Sequence, residues 1–236
     1  GHITGSSMFL IEDDCRILYT GDFCTRRKVY LEPAKPVKTD VLIMETTFGD
    51  PRYRFPDPLH LASVIREWTE DMLGEGLFPV FRIYPLGKAQ ELTEILRGVP
   101  LFGDTSVIEH NRICLGNRQP VRPLEEMSTL GGAILLSQHS RAALPPHVRH
   151  RTVIAGASGW YAESGARYKA GLDEAFPLSD HCDFQDLMEF ARKCDPSVIY
   201  TVHGFQEQFA SELRSELQVE AIPLSRRKGQ SHITDY

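Results

Sequence analysis

Histidine and acidic side chains stand beside small-residue turns at five places, and these are the side-chain types that hold divalent cations or move protons. His2 opens GHITGSS, Asp22 closes LYTGDF, Glu45 opens ETTFGD, His181 sits in LSDHCDF and His203 in VHGF. Residues Ser7 to Glu12 and Arg16 to Thr20 are apolar, β-branched runs around Asp13-Asp14-Cys15, which predicts a hairpin with a tight polar turn. Folding back there brings Asp22 near the level of His2, so an imidazole and a carboxylate leave one end of a sheet, as in a metal site built from remote residues. The residues equally fit a hairpin with a capping Asp and a Gly-His left by a tag. Both runs are apolar on both faces, which predicts that the hairpin is buried.

The elements around the other residues follow from periodicity. Asp40 to Met44 reads as a buried strand, with Glu45 at its C-terminal end, where α/β proteins keep their chemistry; a Glu capping a loop is the plainer alternative. Asp57-Pro58 starts a helix whose Leu61, Val64, Ile65, Trp68 and Met72 form a core stripe, stopped by Gly74 and Gly76. A strand from Leu77 to Tyr84 runs through Pro85-Leu-Gly-Lys88 into a helix, Ala89 to Arg97, whose N-terminus suits a phosphate, as in any α/β loop. Short apolar runs at Ala133 to Leu136 and Thr152 to Ala155 predict a second small α/β domain. Between them His139-Ser-Arg141 and His147-Val-Arg-His-Arg151 form either a solvated loop or a nucleic-acid-facing edge. Trp160, in Ser158-Gly-Trp160, packs or stacks on a base. A run from Glu174 to Leu178 precedes His181, which opens an amphipathic helix, Asp183 to Cys194; a His at such a turn is most often a cap. Strands at Ser197 to Val202 and Val219 to Leu224 flank a helix, Gln206 to Leu217, and a polar tail follows from Ser225.

GHITGSSMF followed by LYTGDF resembles the third and fourth metal-binding motifs of the metallo-β-lactamase superfamily. ETTFGDPRYRFP, GKAQEL, the SGW segment, LSDHCDF and VHGF resemble, in that order, motifs of its β-CASP branch, whose members cut nucleic acids. PRYRFP is closer to the branch's DNA exonucleases, including the ligase-associated group, than to its messenger-RNA endonucleases. The resemblance implies an αββα sandwich interrupted by an inserted β-CASP α/β domain. The expected parts are 1–50 and 172–224 for the metallo-β-lactamase domain, 51–171 for the insertion, and 225–236 for the tail. It also implies a hydrolase with two divalent metal ions, best suited to zinc. His2 is then a ligand of one ion, Asp22 bridges both, and His203 is a ligand of the other. His181 is the general acid and Glu45 its carboxylate partner. Lys88, Ser179, Ser158, Arg149 and Arg151 are the candidates for holding substrate. The superfamily's HxHxDH motif occurs nowhere in the chain, so the resemblance implies the C-terminal part of a larger protein that needs its N-terminal half.

Composition is ordinary for soluble globular material: 236 residues, 42% hydrophobic, 25% charged. A formal charge of −6 disfavours coating nucleic acid by bulk electrostatics but not local basic patches. Five scattered cysteines without a CxxC pair suggest reduced thiols and a cytoplasmic protein. No apolar run approaches the ~20 residues of a membrane span, so no membrane is expected. The expected substrate is single-stranded RNA or DNA, with a homodimer possible. Two other readings remain: a non-catalytic scaffold in a processing complex, and a small-molecule metallo-hydrolase, which would lack the insertion.

Overall fold

The computed structural model describes residues 1–126, 131–140, 144 and 146–224. The polar tail from Ser225, and Arg141, lie outside the described residues. In chain order the strands are β1 (Phe9–Glu12), β2 (Arg16–Tyr19), β3 (Val41–Glu45), β4 (Phe78–Ile83), β5 (Leu101–Gly103), β6 (Glu125–Glu126), β7 (Ala133–Ser137), β8 (Thr152–Ala157), β9 (Glu174–Phe176), β10 (Val198–Val202) and β11 (Glu220–Pro223). The helices are α1 (Pro58–Gly74), α2 (Lys88–Ile95), α3 (Thr105–Gly116), α4 (Pro146–Arg149), α5 (Ala166–Lys169), α6 (Phe184–Cys194) and α7 (Gln206–Leu217).

The chain divides into two compact units. The larger takes Gly1–Ser6, Cys24–Ala34 and Tyr53–His181; the smaller takes Ser7–Phe23, Lys35–Arg52 and the chain from Cys182 onward. Residues 1–6 and 24–34, assigned from sequence to the metallo-β-lactamase part, therefore pack with the segment that carries β4 to β9.

The smaller unit is a five-stranded sheet in the order β1-β2-β3-β10-β11, parallel except for the β1–β2 hairpin. Helix α6 forms because Asp183 accepts from the Asp186 N–H at 3.0 Å while the Asp186 carboxylate reaches back to the Asp183 N–H at 3.5 Å. Arg192 and Lys193 in its last turn complement the helix dipole. Its apolar face puts Phe190 at 4.4 Å from Phe23, and Phe184 lies edge-on to Phe209 of α7 at 5.6 Å. The hairpin is not buried as expected. β1 is the edge strand, and Phe9 and Ile11 are more than half exposed, because only one neighbouring strand pairs with them within this sheet.

The larger unit is a six-stranded, fully parallel sheet in the order β6-β5-β7-β4-β8-β9. Asp57 caps α1 by accepting from Leu59 and His60, with a proline in the first helical position. Leu61 and Ile65 of the expected stripe are buried, and Trp68 packs edge-on against Phe81 and Phe176 at 5.7 and 5.5 Å; Val64 instead faces solvent. Helix α2 buries every one of its residues. The Gly87 N–H at its start is taken by the Gln90 side chain at 2.8 Å, and Lys88, Ala89 and Gln90 of its first turn are buried.

Candidate metal-site residues and their supports

In the smaller unit the chemistry-bearing residues stand at strand ends, as α/β sheets favour. Glu45 ends β3 and is buried; one carboxylate oxygen accepts from the Thr47 N–H at 2.7 Å and the other from the Phe23 N–H at 3.5 Å. This ties the Asp22-Phe23 segment to the end of β3 and leaves Asp22 exposed. His203 follows β10 in the left-handed region, with φ +60°, and is exposed. A non-glycine residue there stores strain, which persists where the surroundings over-determine it. They do so here: the Thr46 hydroxyl donates to the His203 carbonyl at 2.5 Å, and the Phe205 N–H donates to the Thr46 carbonyl at 2.9 Å. Gly204 must be glycine, since a Cβ would stand 2.4 Å from the Thr46 oxygen at a φ of +62°. The ETT and VHGF turns are thus one stapled assembly.

In the larger unit His2 and His181 come together with ring centroids 4.5 Å apart. His2 Nδ1 lies 3.0 Å from the Asp180 carbonyl oxygen. An oxygen acceptor there fixes the proton on Nδ1, as backbone carbonyls do behind metal-binding imidazoles. The donor chemistry therefore fits a divalent cation such as zinc.

Behind this pair lies a buried ionic cluster. The Asp180 carboxylate takes Lys28 Nζ at 2.5 Å on one oxygen and Lys88 Nζ on the other, and Lys28 also donates to the His2 carbonyl at 2.7 Å. Burial opposes the charge on Asp180, but Lys28 and Lys88 outweigh it and hold the carboxyl far below its usual range. Burial likewise opposes the Lys28 charge, and Asp180, Cys24 and Glu91 outweigh it and raise its pKa. The Tyr30 hydroxyl donates to the Gly87 carbonyl at 3.2 Å; burial, then Asp180 and Glu91, push its pKa up. Glu91 accepts from the Val29 N–H at 3.1 Å through Oε1, while its buried Oε2 has no partner. Burial raises the Glu91 pKa, with Lys28 acting against it.

The expected substrate residues fare unevenly. Lys88 is no phosphate contact here: it is buried and its ammonium is bound by Asp180. Ser158 is buried and caps the turn Gly159–Ala162, accepting from the Trp160 N–H at 3.4 Å. The Ser179 hydroxyl folds back on the His181 backbone, accepting from its N–H at 3.0 Å. Arg149 and Arg151 are exposed. Trp160 packs edge-on to Tyr53 at 5.7 Å and is 46% exposed. Sequence reasoning missed Lys28 and Asp180. The signal was an Asp directly before His181 and the basic turn after Cys24, neither of which shows in sequence that it closes on the other.

Residues 171–223 match a family described as the Zn-dependent metallo-hydrolase RNA specificity domain. The chain is 35% identical over 223 residues to a probable DNA ligase of Opitutus terrae, covering 91% of this chain and 22% of that protein. It is 42% identical over 107 residues to the Endoribonuclease YSH1 of Mycosarcoma maydis, 41% of this chain and 11% of that one. It is 26% identical over 287 residues to the Cleavage and polyadenylation specificity factor 73 of Drosophila melanogaster, 93% of this chain and 41% of that one. Each relative is thus more than twice as long as the stretch this chain covers. A crystal structure of a protein of unknown function from Enterococcus faecalis V583 superposes with a TM-score of 0.59 at 14% identity, covering 97% of this chain and 61% of that one. The fold is α/β with parallel sheets, and the family that residues 171–223 match is one of Zn-dependent metallo-hydrolases. By this domain and these relatives the chain is similar to the β-CASP branch of the metallo-β-lactamase superfamily.

Proposed function

We propose that this chain is the β-CASP-bearing part of a metal-dependent phosphodiesterase that cuts single-stranded nucleic acid, trimming from an end or cutting within a loop. The observation that carries the reading is the His2 imidazole, held at Nδ1 by the Asp180 carbonyl and lying beside the His181 ring. His2, Asp22 and His203 are assigned as ligands, with an αββα sandwich as the parent fold. The remaining ligands expected of the superfamily belong to an HxHxDH segment that these 236 residues do not contain. Two zinc ions, when bound, supply an activated water near neutral pH and neutralise charge on the phosphate.

The chain's own residues do the rest. His181 gives a proton to the leaving oxygen, and Glu45, held by two backbone N–H groups, is its carboxylate partner. His203, held strained by Thr46, keeps its ring at the end of β10. Retention of all five residues favours an enzyme over a scaffold. Five free thiols, four of them buried, favour a reducing, cytoplasmic setting. The test is cleavage of end-labelled single-stranded RNA and DNA by the full-length protein with and without added zinc. Metal-dependent release of products supports the reading, and metal-loaded protein inert on both polymers contradicts it.

A further inference from the structure

Gly1–Ser6 belong to no helix or strand, so no ladder of backbone hydrogen bonds fixes the turn that carries His2. Side chains of the larger unit hold it instead. Lys28 Nζ donates to the His2 carbonyl at 2.7 Å and to Asp180 Oδ1 at 2.5 Å, while the Asp180 carbonyl lies 3.0 Å from His2 Nδ1. One lysine and one aspartate therefore grip both the backbone and the ring of His2, which leaves the imidazole little freedom about its side-chain torsions. Gly87 lets the turn come this close: a Cβ there, at a φ of +89°, would stand 2.6 Å from Ile3 Cγ2 and 3.1 Å from Asp180 Oδ2. Lys88 binds the other Asp180 oxygen and lies over the Tyr84 ring, 5.2 Å from its centroid, and its ammonium bonds no atom of His2 among the described residues.

We propose that Lys28 is a positioning residue for the metal centre: through the His2 carbonyl and the Asp180 carboxylate it holds the His2 ring in one orientation beside His181. Lys28 is buried, so it does not reach substrate and acts only through the residues it holds. Asp180 directly precedes His181, so the same clamp sets the 4.5 Å between the two rings and keeps ligand and acid in register. Groups that orient a metal-binding imidazole from behind matter to affinity nearly as the ligand does, because an imidazole free to turn must be ordered each time the ion binds. The proposal rests on the reading of His2 as a zinc ligand and adds to it what orients that ligand.

The experiment measures zinc affinity by competition with a chromogenic chelator for the full-length protein and its Lys28→Met, Lys88→Met and His2→Ala variants. Both methionine variants take one ammonium from Asp180 and keep most of the buried stem, but only Lys28→Met also releases the His2 carbonyl. Lys28→Met should weaken zinc binding by about 10- to 100-fold, the range for losing a group that supports a ligand, and Lys88→Met by less than about threefold, below that range. A role in stability alone would move the two alike. Equal losses in both, or no loss in Lys28→Met, overturn the positioning role. His2→Ala that binds zinc as tightly as the unmodified protein overturns the ligand reading on which the proposal rests. A second measurement needs no variant of either lysine to fold: in the unmodified, zinc-loaded protein the His2 Nδ1 proton should give a slowly exchanging imidazole N–H resonance that His2→Ala lacks. Rapid exchange of that proton with water overturns the clamp.

Discussion

His2 Nδ1 and the backbone carbonyl of Asp180 lie 3.0 Å apart, and the Asp180 side chain is itself gripped by Lys28, which also binds the His2 carbonyl. A closed ring of contacts therefore joins an imidazole to the residue preceding His181, 178 positions along the chain from Asp180 back to His2. Its side chains are almost fully buried, at 6% for Lys28, 4% for Asp180 and 8% for Lys88.

Asp180→Asn should destabilise the protein by about 3–5 kcal/mol, since it leaves two ammonium groups buried against a neutral amide. Urea unfolding of both proteins measures this. A loss under about 1 kcal/mol, the level of an exposed pair, would show that the cluster is open to water.

The same cluster fixes a pH dependence. The Asp180 carboxyl is held below its unfolded value, so its stabilisation is complete above about pH 4 and is lost as pH falls through the folded value. Lys28 is raised, so its share is complete below about pH 10.4 and lost only as pH rises through the folded value. The stability gap between the native protein and Asp180→Asn should therefore narrow as pH falls below about 4. A gap that closes between pH 5 and 7 would mean that a histidine, not Asp180, governs it.

Gly204→Ala should cost roughly 1–3 kcal/mol, because its Cβ must displace the Thr46 backbone and its φ is positive. His203→Gly should be close to neutral for stability, relieving strain at the same turn. Thermal unfolding of the pair checks this, and equal losses in both would argue that His203 is not strained.

The elements that carry the motifs were legible because each motif sits where a periodic run stops. β3, β10, α6 and α7 begin and end within a residue of where apolar spacing and capping chemistry placed them. Charge pairing was not legible. Lys88 read as a cation at a helix start, and only the fold shows it turned onto Asp180, 92 residues away. Burial of the hairpin also failed to follow from its composition. Phe9 and Ile11 are apolar, but whether such residues are covered depends on the strand's place in the sheet. α3 lay in a stretch whose mixed composition gave no clear period.

Thiol reactivity should separate the five cysteines. Cys15 is exposed, while burial pushes the Cys194 thiol up to about 11. Brief alkylation at pH 8 of the native protein should label Cys15 first and leave Cys194 unmodified, read by peptide mass. Rapid labelling of Cys194 would contradict its burial in α6.

The central claim is that His2 holds metal while His181 moves a proton, and metal content set beside turnover tests it most directly. In the full-length protein His181→Ala should keep its zinc and lose roughly 10²–10⁴ in rate, the range of a general acid. His2→Ala should lose zinc and activity together. A His181→Ala protein that is purified without zinc, or a His2→Ala protein that keeps its full complement, would contradict the assignment of ligand and acid.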